Sequence, residues 1–236
     1  AKSKEEKITV NGNVDLYAVV FNRTTETDLT EDQLPQVDIY KYKQVIFVGD
    51  SRTEFMENVL TGMGESATKN VKFVCSAGKG LDWFTTTGWA QLYSIVQHDS
   101  NSILSKKTAV IFNFGVNDLS KSADYAEYYN WIAPQLKSKG CELYFMSVNP
   151  VNRLMLPNAG RADRSEAAVR SFNQYMKANL SSAYTYIDMY SYLKSTGYSF
   201  ASDHYGTGTV DDGLHYTTRT YKRIFAKCMD SLRVPA

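Results

Sequence analysis

The chain has 236 residues, 43% of them hydrophobic and 22% charged, with a formal net charge of +1. That is enough apolar material for one well-buried α/β domain, and near-neutrality without a Lys/Arg cluster among aromatics argues against a nucleic-acid partner. No apolar run approaches the roughly 20 residues of a membrane span, and no basic-then-apolar leader pattern opens the chain, so a soluble protein is expected.

Residues 1–43 read as a heterogeneous lead-in. Ile8 to Phe21 alternates around the turn-prone Asn11-Gly12-Asn13, which predicts a short hairpin or edge strand, and Thr24 to Asp38 is acidic and irregular. Across 44–236, short apolar runs alternate with segments of helical period, the pattern of a parallel sheet flanked by helices in one domain. Strands are predicted at 45–48, 71–75, 108–114, 142–148 and 184–188. Tyr125, Tyr129, Ile132 and Leu136 make a helical stripe, which Pro134 should kink or split. Val169, Phe172, Met176 and Leu180 make another. Tyr221, Ile224, Phe225, Cys228 and Leu232 recur at three and four residues after a cap at Thr217 or Thr218, and mark the core face of the last helix. Cys75, Cys141 and Cys228 are widely and irregularly spaced, with no CxxC or Cys/His metal pattern. Buried free thiols are expected, with one disulfide plus a free cysteine as the alternative.

The chemistry gathers where strands end. Val45-Ile46-Phe47-Val48 stops at Gly49-Asp50-Ser51, a buried strand turning tightly into a helix. A serine there serves as a helix N-cap or, given a base and oxyanion donors, as a nucleophile at the carboxyl edge of the sheet. Three histidines compete to be that base. His215 follows Asp211-Asp212-Gly213-Leu214 in a polar turn before the last helix, and Asp212 can fold back across the glycine to hold one ring nitrogen. His98 and His204 lack this combination and read as loop or surface residues. Asn117, in Gly115-Val116-Asn117-Asp118 after the third strand, offers an amide at the same sheet edge, either as an oxyanion donor or in an Asx turn. Cys75-Ser76-Ala77-Gly78-Lys79-Gly80 is a small-residue loop whose glycine N–H could approach a substrate, or serve the turn alone.

Taken in order, Gly49-Asp50-Ser51, Gly78, Gly115-Val116-Asn117-Asp118 and Asp212-Gly213-Leu214-His215 resemble the four blocks of the SGNH (GDSL-type) hydrolase superfamily, from about residue 45 to the end. The resemblance implies a flavodoxin-like three-layer α/β/α sandwich around a central parallel sheet of about five strands. It implies Ser51 as nucleophile, His215 as general base and Asp212 as orienting acid. The implied oxyanion hole is the Ser51 N–H, the Gly78 N–H and the Asn117 side chain. No metal or organic cofactor is implied. Arg52 stands where a leucine usually follows the serine, and glycines at both 78 and 80 leave the backbone donor open between them. Thr53 breaks the GxSxG elbow of ordinary α/β-hydrolases.

The activity expected from this resemblance is that of a serine esterase working through an acyl-enzyme on short acyl esters, acetyl above all, small or glycan-borne. The 17 Tyr and 3 Trp, with no evident long apolar groove, lean toward a polar substrate and away from lipid. An O-acyltransferase using the same triad on a glycan hydroxyl is the first alternative, and a silent carbohydrate-binding module of the same fold is the second. Arg52 is a candidate for binding an anionic group of the substrate, against a structural ion pair with an early-helix carboxylate. Asn149 to Arg164, with Pro150, Pro157 and Gly160, either overhangs the site or only connects elements. The start at Ala1 and the family's frequent export lead us to expect a removed leader or preceding domain and an extracellular or cell-surface location.

Overall fold

Val45, Ile46, Phe47 and Val48 are all fully buried, so the strand that carries them, β1 (Tyr42–Gly49), is covered on both faces. In the computed structural model, which describes residues 29–30, 33–35, 41–99, 107–157, 160, 162–202 and 211–232, this strand is near the centre of a five-stranded parallel sheet. The others are β2 (Val71–Cys75), β3 (Lys107–Asn113), β4 (Cys141–Met146) and β5 (Tyr184–Ile187), in the order β2-β1-β3-β4-β5.

Alternation along the strands sorts side chains into two cores. Ile46 and Val48, Val110 and Phe112, and Leu143 and Phe145 enter one core. It is closed by α3 (Leu81–Trp83), a π-helical turn (Phe84–Gly88), α4 (Trp89–Asp99), α5 (Ser122–Ser138) and α6 (Glu166–Asn179). Val45 and Phe47, Ala109 and Ile111, and Tyr144 and Met146 enter the other core. That side is covered by α1 (Ser51–Thr61), α2 (Glu65–Thr68), α7 (Met189–Thr196) and α8 (Thr218–Ser231). The result is the three-layer α/β/α sandwich. None of the three cysteines is in a disulfide; Cys141 and Cys228 are buried and Cys75 is partly so.

All five predicted strands are present, and the first starts earlier than its apolar run. Gln44 is buried because its amide donates to the Thr108 hydroxyl at 3.2 Å, so a polar residue can continue the strand. At the amino edge of the sheet, Glu142 of β4 receives Lys107 at 2.7 Å, Lys41 at 3.1 Å and the Tyr42 hydroxyl. This cluster ties β1, β3 and β4 together at the end remote from Ser51.

Two expectations need correcting. α5 runs through Pro134 without a break, because Tyr125, Tyr129, Ile132, Ala133 and Leu136 bury one face on both sides of the proline and outweigh one missing backbone bond. His215 does not sit in a turn. Residues 211–216 form β7 (Asp211–Tyr216), antiparallel to β6 (Phe200–Ser202). Thr217 caps α8, its hydroxyl accepting from the Thr220 N–H, and the predicted stripe on that helix is buried. The hairpin expected at Ile8 to Phe21, most of the lead-in, and His204 lie outside the described residues. Among the described residues no helix is long and apolar enough to cross a membrane.

The strand order decides where a site can form. The chain leaves β1 toward β2 on one side, while β3 lies on the other, so the segments after β1 and β3 part and open a crevice at their carboxyl ends. Ser51 follows β1, and Asn117 follows β3.

Candidate active site

Asp50, not Ser51, caps α1. Its backbone is extended and its Oδ1 accepts from the Arg52 N–H at 3.0 Å. Ser51 is therefore the first helical residue, and its hydroxyl is not spent on capping. Ser51 Oγ lies 2.9 Å from His215 Nε2, and His215 Nδ1 lies 2.5 Å from Asp212 Oδ2. The other carboxylate oxygen, Oδ1, accepts from the Leu214 N–H at 2.8 Å and the His215 N–H at 2.7 Å. The three residues are 5%, 2% and 0% exposed for Ser51, His215 and Asp212. Phe55, one helical turn after Ser51, packs its ring 4.4 Å from the imidazole.

A carboxylate facing Nδ1 puts the imidazole proton there, which leaves Nε2 as an acceptor for the serine O–H. Burial pushes the Asp212 carboxyl up. The His215 hydrogen bond and charge and the two amides outweigh it, holding Asp212 below the ordinary carboxylate range. Gly213 makes the fold-back possible. Its φ is +66°, and a Cβ there would meet the Asn152 carbonyl oxygen at 2.4 Å.

The opposite wall comes from the segments after β2 and β3. Ser51 N–H belongs to the first turn of α1, where amides have no intrahelical acceptor. Gly78 and Gly80 serve different ends. Gly78 has φ +70° and open space where a Cβ would go. A Cβ on Gly80 would strike Asp118 Oδ2 at 2.3 Å. That oxygen accepts from the Leu81 N–H at 2.9 Å, while Asp118 Oδ1 accepts from the Tyr125 hydroxyl at 2.7 Å. Asn117 Nδ2 donates to the Lys79 carbonyl at 2.8 Å, and Asn117 Oδ1 accepts from Arg164 Nη2 at 2.9 Å. Asp50, between the two walls, is pushed up to about 6, foremost by burial, with the Asp118 charge adding to it and Arg52 and Arg164 opposing.

Arg52 does not face a substrate. It is 2% exposed, and its guanidinium donates to the carbonyls of Leu214 at 3.0 Å, Asn149 at 2.9 Å and Pro150 at 2.8 Å. Its expected partners, an anionic substrate group or an early-helix carboxylate, are replaced by backbone from two remote segments. The 149–156 stretch likewise supports the β7 strand, since the Asn152 N–H donates to the Gly213 carbonyl at 2.8 Å and the Tyr216 hydroxyl donates to Pro150 at 2.5 Å. His98 falls on α4, on another element altogether. Among the described residues no group of three or more His, Cys, Asp or Glu side chains is placed to hold a metal ion. Two residues that matter here were not singled out from sequence. Asp118 knits the segments after β2 and β3, and Arg164 holds the Asn117 amide.

Residues 45–228 match the model of the GDSL-like lipase/acylhydrolase family, a stretch that contains Ser51, Asn117, Asp212 and His215. The chain belongs to that family. As a GDSL-like, or SGNH, hydrolase it shares its fold with solved structures at low identity. One is assigned as an SGNH hydrolase from Slackia heliotrinireducens, at 12% identity with 82% of this chain and 100% of that one covered and a TM-score of 0.53. Another is assigned as an acylhydrolase from Bacteroides fragilis, at 16% identity, coverages of 85% and 92% and a TM-score of 0.52. A third is the acetyl xylan esterase AlAXEase, at 12% identity, coverages of 80% and 100% and a TM-score of 0.50. No curated protein sequence matches this GDSL-like chain.

Proposed function

We propose that the chain is a serine esterase that hydrolyses short acyl esters, acetyl foremost, carried on carbohydrate or cell-wall glycan, and that it works outside the cytoplasm. The observation that carries the esterase reading is the unbroken hydrogen-bonded chain from Ser51 Oγ through both nitrogens of His215 to Asp212. His215 Nε2 takes the Ser51 proton as Oγ attacks the ester carbonyl, and Asp212 holds the ring and stabilises the imidazolium. The oxyanion of the tetrahedral intermediate rests on the Ser51 N–H, the Gly78 N–H and the Asn117 amide. Loss of one such donor typically costs roughly 2.7–4 kcal/mol of barrier stabilisation. The carbon–oxygen bond to the alcohol then breaks, the alcohol leaves with the proton from His215, and Ser51 holds the acyl group. Water, deprotonated by the same imidazole, attacks that ester and releases the acid.

The polar character of the wall formed by Lys79, Asn117, Asp118 and Arg164 supports a small acyl group on a hydrophilic carrier over a long lipid chain. The likeness to an acetyl xylan esterase agrees with this at the level of fold. The test is turnover of p-nitrophenyl acetate and release of acetate from acetylated xylan and peptidoglycan, with Ser51→Ala as control. We expect Ser51→Ala to fold normally and lose roughly 10⁴-fold or more in kcat. Undiminished turnover by that variant would overturn the esterase reading, and acyl groups appearing on a glycan acceptor in place of free acid would make the protein a transferase.

A further inference from the structure

The Asn117 amide has one orientation that its neighbours accept. A guanidinium offers only donors, so the atom 2.9 Å from Arg164 Nη2 is the carbonyl oxygen Oδ1. A backbone carbonyl offers only lone pairs, so the atom 2.8 Å from the Lys79 oxygen is Nδ2. Turning the amide over would set N–H against N–H and oxygen against oxygen, losing both hydrogen bonds. Nδ2 carries two hydrogens, and Lys79 takes one of them.

Arg164 is itself held from two sides. Its Nε donates to the Val116 carbonyl at 2.7 Å, on the residue just before Asn117, and its Nη1 donates to the Ala162 carbonyl at 2.9 Å. The segment ahead of α6 is thereby fastened to the segment after β3. A cation on Oδ1 also draws electron density from the amide and strengthens its N–H groups as donors.

We propose that Arg164 is a positioning residue for oxyanion stabilisation: it locks and polarises the Asn117 amide so that its second N–H is already aimed when the tetrahedral intermediate forms. The inference rests on Asn117 being an oxyanion donor. Lysine cannot substitute, because a single ammonium cannot grip the Val116 carbonyl and the Asn117 oxygen with the fixed fork of a guanidinium.

A double-mutant cycle on p-nitrophenyl acetate tests this, using Arg164→Lys, Asn117→Ala and both together, with melting curves for each and Arg164→Gln as a second variant at the same position. Asn117→Ala should lower kcat by roughly 10²- to 10³-fold. Arg164→Lys should lower kcat by about 10- to 100-fold, with KM within about threefold. In the Asn117→Ala background, Arg164→Lys should then cost less than about twofold, because the amide it acts through is gone. An equal loss in both backgrounds, or no loss in the wild-type background, would overturn the inference while leaving Asn117 as a donor. An Asn117→Ala variant as active as wild type would remove the oxyanion reading of Asn117, and this inference with it.

Discussion

Arg52 Nε donates to the Leu214 carbonyl at 3.0 Å, so the residue after Ser51 grips the residue before His215. The separation of Ser51 and His215 is thus held by the Arg52 guanidinium as well as by their mutual hydrogen bond. Two further carbonyls, of Asn149 and Pro150, complete the grip.

Replacing Arg52 with alanine should leave three buried carbonyls without donors. Each hydrogen bond to a charged group is worth about 1.5–3 kcal/mol, so with partial relaxation the loss of stability should be about 3 kcal/mol or more. Denaturant unfolding checks this. Activity should fall with no change in preference between neutral and anionic acyl esters. A variant of unchanged stability and altered preference would return Arg52 to the substrate.

Gly213→Ala should disturb His215 and leave the Ser51 turn in place. Residue 213 has φ +66°, and its Cβ would press on the Asn152 carbonyl. The left-handed backbone costs an L-residue about 1–2 kcal/mol before the clash is counted. We expect a fall in kcat of about tenfold or more, since the Asp212–His215 fold-back depends on this turn. Steady-state kinetics on p-nitrophenyl acetate measure it.

Asp50 gives a pH signature. Burial pushes it up to about 6 from the ordinary 3.8, so the folded state binds the proton more tightly than the unfolded one. Stability therefore falls as pH rises from about 4 to 6, by on the order of 3 kcal/mol. Asn at this position keeps the cap oxygen and lacks the titration. Asp50→Asn should gain stability over wild type as pH rises through that window, with the gap closing at pH 4. Chemical unfolding at pH 4 and pH 7 checks the sign.

Glu142 behaves in the opposite sense. Burial would raise it, but Lys107, the Tyr42 hydroxyl and Lys41 hold it at about 2. Its stabilisation is complete above the ordinary glutamate value of 4.5 and is lost as pH falls through 2. Glu142→Gln should lower stability at pH 7, with the loss shrinking as pH falls toward 2. It should leave kcat unchanged, because the cluster sits at the sheet edge away from Ser51. Paired unfolding and kinetic measurements test both halves.

Legibility from sequence followed the range of each signal. The strands were readable because Val45 to Val48 and Ala109 to Phe112 are local apolar runs with both faces covered. Ser51, Asn117, Asp212 and His215 each fall in a short polar block at the end of an apolar run or before a helix; Ser51, His215 and Asp212 are hydrogen-bonded in a row, and Asn117 follows β3, the neighbour of the strand that leads to Ser51. Sequence does not separate Asp50 from Ser51 as the cap, because aspartate and serine cap equally well and the turn comes one residue earlier than the serine. The pairing of β7 with β6 was invisible because its partner strand is three residues long. The roles of Arg52 and Arg164 are not legible in the sequence, since the Leu214 carbonyl that Arg52 holds is 162 residues away and the Asn117 amide that Arg164 holds is 47 residues away.

The most direct measurement is the site of attachment of a serine-directed fluorophosphonate, mapped by mass spectrometry in wild type and in His215→Ala. The account predicts a single adduct on Ser51 in wild type, formed at least about 10²-fold more slowly when the imidazole is removed. Labelling of another serine, or of Ser51 at the same rate without His215, would contradict it.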